Sequence, residues 1–125
     1  MGAPVDHPKA TGEAHWAEWP TDIEPYTIGI EEEVMLVDPS RRWALAQRIE
    51  DVLTVLPSDL ASSFSAETHQ AAIEVRTDPH ASVHTATEQL RQLRRALGAT
   101  LAAVHLAPAA AGTHPLAIWS ETEVT

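Results

Sequence analysis

Apolar positions recur along this chain in two rhythms, alternate-residue and three-to-four-residue, and the switches between them divide it into elements. The run Tyr26 to Pro39 is short, aliphatic or β-branched on both flanks and bounded by Pro25 and Pro39, which predicts a strand. Asp38-Pro39-Ser40-Arg41-Arg42 reads as a turn, with Trp43, Ala44 and Leu45 as a hairpin return. From Ala46 to Leu56, the spacing of Ile49, Val52, Leu53 and Leu56 predicts a short amphipathic helix that Pro57 ends. Ser58 to Ser65 leads back toward the sheet, and the second half of Ala66 to Pro79 again alternates as a strand. Ser82 to Leu106 is the clearest helix. Ser82 can cap it, and Val83, Ala86, Leu90, Leu93, Leu97, Leu101 and Val104 trace a stripe that packs on the sheet. Gly98 inside it suggests close packing or a slight kink. Pro108 to Ala111 predicts a buried strand or its approach, and Gly112-Thr113-His114-Pro115 a tight loop. Residues 1–24 carry three prolines and no sustained period, the pattern of a flexible leader in which Trp16 and Trp19 could still dock.

The chemistry lies inside the first strand. Glu31, Glu32 and Glu33 interrupt the apolar run, and alternation sends Glu31 and Glu33 to one face and Glu32 to the other. Neighbouring carboxylates on a largely buried strand repel, and an all-oxygen site of this kind suits a hard dication such as Mg²⁺ or Mn²⁺. The alternative is a solvated face of an edge strand. Glu74 places another carboxylate within an aliphatic run, where pairing with Arg76 competes with a ligand role. Glu67 stands seven residues earlier, so a bend near Thr68 to Gln70 is required for the two acids to converge. His80 and His84 lack an acid at a useful offset, and Arg91, Arg94 and Arg95 read as a solvated helix face.

Composition narrows the options. The 125 residues suffice for one modest domain or part of one. With 18 acids against 8 bases, no basic surface for nucleic acid is expected, and the net charge of −10 opposes an anionic membrane. Absence of cysteine excludes disulfides, thiolate nucleophiles and cysteine-based zinc sites. No apolar run reaches membrane-span length and the start lacks a signal pattern, so a cytoplasmic location is the default expectation.

Taken together, Tyr26-Thr27-Ile28-Gly29-Ile30-Glu31-Glu32-Glu33, Leu36-Val37-Asp38-Pro39, the E-x6-E spacing of Glu67 and Glu74, and Ala110-Ala111-Gly112-Thr113-His114-Pro115 resemble the start of the carboxylate-amine ligases called glutamate-cysteine ligase type 2. The resemblance covers about 25–125. It implies an α+β fold: an antiparallel sheet flanked by helices, the N-terminal part of a glutamine-synthetase-like catalytic domain. It also implies ATP and Mg²⁺ (or Mn²⁺), a γ-glutamyl phosphate intermediate, and an amide bond to an amino-acid amine. Glu31, Glu33, Glu67 and Glu74 match the metal ligands, and Arg76 and His114 are candidates for substrate contact. No catalytic residue is assigned, and nucleotide contacts are expected beyond Thr125, in a missing C-terminal half or a second copy in a homo-oligomer. The rival readings are a non-catalytic interaction module or subunit of a split enzyme, and a metal-dependent hydrolase.

Overall fold

The computed structural model describes residues 26–125; the expected leader, with Trp16 and Trp19, lies outside them. Five antiparallel strands and two helices follow in the order β1 (Glu31–Asp38), β2 (Ala44–Leu45), α1 (Ile49–Val55), β3 (Phe64–Ala66), β4 (Ala72–Arg76), α2 (Val83–Ala103) and β5 (Ala107–Ala109). This is the expected α+β architecture. The strand path is β2-β1-β4-β3, with β5 also paired to β1. Three partners on a strand with two edges require two to share one. The Leu36 amide donates to the Ala71 carbonyl, while the Leu36 carbonyl accepts from Ala46, both at 2.8 Å. In an antiparallel strand both backbone groups of a residue point to the same edge, so β4 and β2 lie end to end along one side of β1 and β5 lies along the other.

Alternation divides β1 as its sequence predicts. Val34 and Leu36 face inward with Phe64, Ile73 and Val75, and both helices cover that face through Ile49, Val52, Leu90, Leu93, Leu97 and Leu101. Burying residues of this size contributes about 1.5–3 kcal/mol each before the entropy cost of ordering them. Ser82 caps α2 by accepting from the Thr85 amide at 3.2 Å. At its other end the Leu106 amide bonds to the Leu101 carbonyl and the His105 amide to that of Ala102, with His105 left-handed at φ 60°. These two bonds form a Schellman stop, and buried Leu106 completes it.

Several local expectations are corrected. β1 starts at Glu31, because Tyr26–Ile30 instead runs beside 77–80 through the Ile28–His80 bridge and the bond from the Thr77 amide to the Ile30 carbonyl. The Schellman stop ends α2 before Leu106, and α1 begins at Ile49, three residues later than its apolar spacing suggests. β5 is a short edge strand with partly exposed residues, as its Pro108 favours, and not a buried one. A Cβ on Gly98 would meet nothing within 4 Å, so close packing does not account for that glycine. Arg94 is not simply solvated: it reaches Glu32 on the sheet.

Candidate functional site

The β1–β4 register sets Glu33 opposite Glu74 and Glu31 opposite Arg76, all on the face away from the helices. The Thr77-to-Ile30 and Leu36-to-Ala71 bonds mark the hydrogen-bonded positions of this ladder. Counting in twos between them makes Glu32/Val75 and Val34/Ile73 bonded pairs and leaves Glu31/Arg76 and Glu33/Glu74 at the non-bonded positions. Cα atoms there lie about 4.5 Å apart and side chains are closest. Glu33 and Glu74 are thus like charges set face to face. Glu31 lies two residues along β1, about 7 Å away on the same face.

Little within the described residues neutralises this row. Glu31 and Glu33 are exposed and enter no ion pair among those residues. The Glu74 side chain is 23% exposed, 3.7 Å from Arg76 Nη1, and accepts from Ser65 Oγ at a long 3.4 Å. Arg76 also donates through Nε to the Ser62 carbonyl at 3.4 Å. The expected Glu74–Arg76 pairing is therefore present, but it is loose. No three histidine or acid side chains converge into a metal cluster among the described residues. The donor chemistry nevertheless fits a hard dication: three carboxylates share one face, and two of them have no ion-pair partner among the described residues.

The other candidates fall elsewhere. Glu67 directly follows the end of β3 and Glu74 lies in β4, with the required bend present at Thr68 and a turn at Gln70–Ala71 reversing the chain between them. The Glu67 carboxylate accepts from the Thr68 amide and, at 3.0 Å, the Thr68 hydroxyl. His114 Nδ1 accepts from the Leu116 and Ala117 amides at 3.1 and 3.0 Å. Its Nε2 therefore carries the proton and donates to the Trp43 carbonyl at 2.8 Å. Nδ1 thereby holds the turn of its own loop, and Nε2 ties that loop to the β1–β2 turn.

Glu32, which alternation sends to the opposite face, is held there. Arg94 takes it with two guanidinium bonds, one of them 2.7 Å from Nε, and the Glu32 side chain is only 16% exposed. This carboxylate raises the Arg94 pKa. The clamp fixes β1 against α2, so its neighbours must face the open side. A separation of 62 residues hides this pair from pattern reading.

A family model described as glutamate-cysteine ligase family 2 matches residues 27–125, which include the whole sheet and the acid row. The chain belongs to glutamate-cysteine ligase family 2. Among its family-2 relatives, a Rubrobacter xylanophilus protein is 39% identical over 100 residues, covering 80% of this chain and 26% of that one. A Ruegeria pomeroyi protein is 37% identical over 100 residues, with the same coverage of 80% and 26%. One from Chloroflexus aggregans is 36% identical over 107 residues, covering 85% and 27%. All three carry the provisional name glutamate–cysteine ligase 2 (2-1 in the Rubrobacter protein). The chain spans about a quarter of the length of these curated relatives.

Proposed function

We propose that this chain supplies the acid-bearing sheet of an ATP-dependent ligase that joins glutamate to an amino-acid amine, cysteine by the family's name, in the cytoplasm. The observation that carries the reading is the row Glu31, Glu33 and Glu74 on the open face of the sheet, in a family whose named activity is a ligation. In such a reaction an oxygen of the glutamate γ-carboxylate attacks the terminal phosphorus of ATP and ADP leaves. The amine nitrogen then attacks the resulting acyl phosphate, loses a proton, and inorganic phosphate departs as the amide forms.

The first step brings a carboxylate against a triphosphate, and this repulsion has to be neutralised. Mg²⁺ or Mn²⁺ held by Glu31, Glu33 and Glu74 would supply that charge. Within the chain, Glu33 and Glu74 present paired negative charge at one point, and the clamped Glu32 keeps β1 in register. Arg76, opposite Glu31, sets a cation beside the row for an anionic substrate group. Glu67 joins this set only if its carboxylate leaves Thr68.

Calorimetric titration with Mn²⁺ tests the reading. Binding to the chain that is lost in a Glu31→Gln/Glu33→Gln variant is expected, and equal binding by both proteins would refute it. With ATP, glutamate and a panel of amines, product analysis should give an amide and not free phosphate alone, the outcome a hydrolase would produce. A second reading, an assembly edge, draws on the β5 pairing. β5 pairs with β1 only over Met35–Val37, so the backbone groups of Glu31 and Glu33 lack ladder partners among the described residues. Light scattering tests it: self-association or partner capture that ends when this edge is blocked by an N-methylated strand would favour it.

A further inference from the structure

At the other end of β1, about 17 Å along the strand from Glu33, the β1–β2 turn and the 114–122 stretch enclose a cavity of about 590 Å³. That volume is typical of small-molecule sites. Arg41, Arg42 and Arg48 line the cavity together with the apolar Leu116 and Ile118. In a chain with only 8 basic residues against 18 acids, three arginines at one hollow is a marked concentration of positive charge.

Arg42 is uncommitted among the described residues, and Arg41 acts on the Asp38 carboxylate only from beyond ion-pair distance. Arg48 is bound to Asp51 at 2.8 Å, and Arg76, Arg91 and Arg94 each have a carboxylate partner. Arg41 and Arg42 enter no ion pair among the described residues; only Arg95 shares that condition among the described arginines. Asp38 and Glu121 also line the hollow, but one Asp38 oxygen is taken by the Ser40 amide and hydroxyl at 2.9 and 2.6 Å.

The turn that presents the arginines is held in a costly form. Arg42 and Trp43 both adopt left-handed backbone at φ 56° and 61°, an arrangement that persists only when the surroundings enforce it and that recurs at ligand clamps. Enforcement comes from the Trp43 amide bonded to the Asp38 carbonyl at 2.9 Å and from His114 Nε2 on the Trp43 carbonyl. Leu116 and Ile118, also in the lining, are 80% and 56% exposed, apolar surface that no other described residue covers.

We propose that this hollow binds a small organic anion, a carboxylate or phosphate monoester with an apolar body. The Arg41 and Arg42 guanidiniums take the charged head by charge-assisted hydrogen bonds, and Leu116 and Ile118 take the body. The site is separate from the acid row and does not depend on the ligase reading. Titration of the full chain at low salt with phenyl phosphate, benzoate and inorganic phosphate tests it. Saturable binding of phenyl phosphate or benzoate is expected, and the tighter of the two identifies the head group. Arg41→Gln and Arg42→Asn should each weaken it about tenfold; asparagine tolerates the left-handed backbone, and unchanged circular dichroism checks the fold. Arg95→Gln and Glu31→Gln/Glu33→Gln should leave binding unaltered, which separates this site from the proposed metal face. The proposal is overturned if neither organic anion saturates by about 10 mM or if Arg95→Gln weakens binding equally. It is also overturned if inorganic phosphate binds as tightly as phenyl phosphate, since the apolar wall would then contribute nothing.

Discussion

Glu33→Gln is expected to stabilise the chain when divalent ions are absent and to destabilise it relative to the parent when they are abundant. Glu33 faces Glu74 at a non-bonded ladder position, where Cβ atoms are about 5 Å apart. Two carboxylates about 6 Å apart at a half-exposed surface, with an effective dielectric constant of about 40–80, repel by about 0.7–1.4 kcal/mol. The Arg76 guanidinium, 3.7 Å from Glu74, offsets part of this. The net gain on removing the Glu33 charge is therefore about 0.5 kcal/mol, within the range of cross-strand pair energies. An ion bound only by the folded parent adds RT ln(1 + [L]/Kd), about 1.4 kcal/mol at tenfold excess over Kd, which exceeds the relieved repulsion and reverses the order. Urea unfolding at pH 7 and low salt, in EDTA and in a Mg²⁺ series, reads both terms. A variant less stable than the parent in EDTA refutes the cross-strand repulsion. Equal Mg²⁺ dependence of the two proteins refutes the role of Glu33 in holding the ion.

Three further outcomes follow from the packing. Gly98→Ala should raise stability by about 1 kcal/mol, seen as a higher urea midpoint, because the position is in a helix interior with open space around the added methyl. Arg94→Ala should cost about 1 kcal/mol in the same assay, since it leaves the mostly buried Glu32 carboxylate without its partner. Hydrogen bonds from Ser40 hold the Asp38 pKa below its ordinary value of 3.8. A depressed carboxylate stabilises the fold above its unfolded value, and that contribution disappears as pH falls through the lower folded value. The stability difference between the parent and Asp38→Ala should accordingly be full near neutrality and shrink below about pH 4, as followed by thermal melts across pH.

The parts of the fold legible in the sequence are those whose determinants are local. Period-two alternation sends Glu31 and Glu33 to one face of β1, and the leucine stripe with its Ser82 cap marks α2, because each signal lies within one element. The β3–β4 reversal falls at the bend near Thr68 to Gln70 that convergence of Glu67 and Glu74 requires, but Thr68-His69-Gln70-Ala71 contains neither glycine nor proline, so the sequence alone does not mark it as a turn. Its consequence, Glu33 facing Glu74, depends on a register that no single segment carries. The use of His114 as a tie to Trp43 and of Arg94 as a clamp on Glu32 likewise joins residues distant in sequence. His105 in the left-handed stop of α2 occupies a place where glycine is the usual marker, so the helix end is obscured by an untypical residue.

Paramagnetic broadening by Mn²⁺ tests the central claim most directly. In a ¹⁵N-labelled chain titrated with substoichiometric Mn²⁺, the amides of Glu31 to Glu33 and of Glu74 to Arg76 should broaden first, with those of Glu50 and Asp51 on α1 unaffected. Broadening that begins at Glu50 and Asp51, or that spreads over all acidic positions alike, would contradict a cation site on the open face of the sheet.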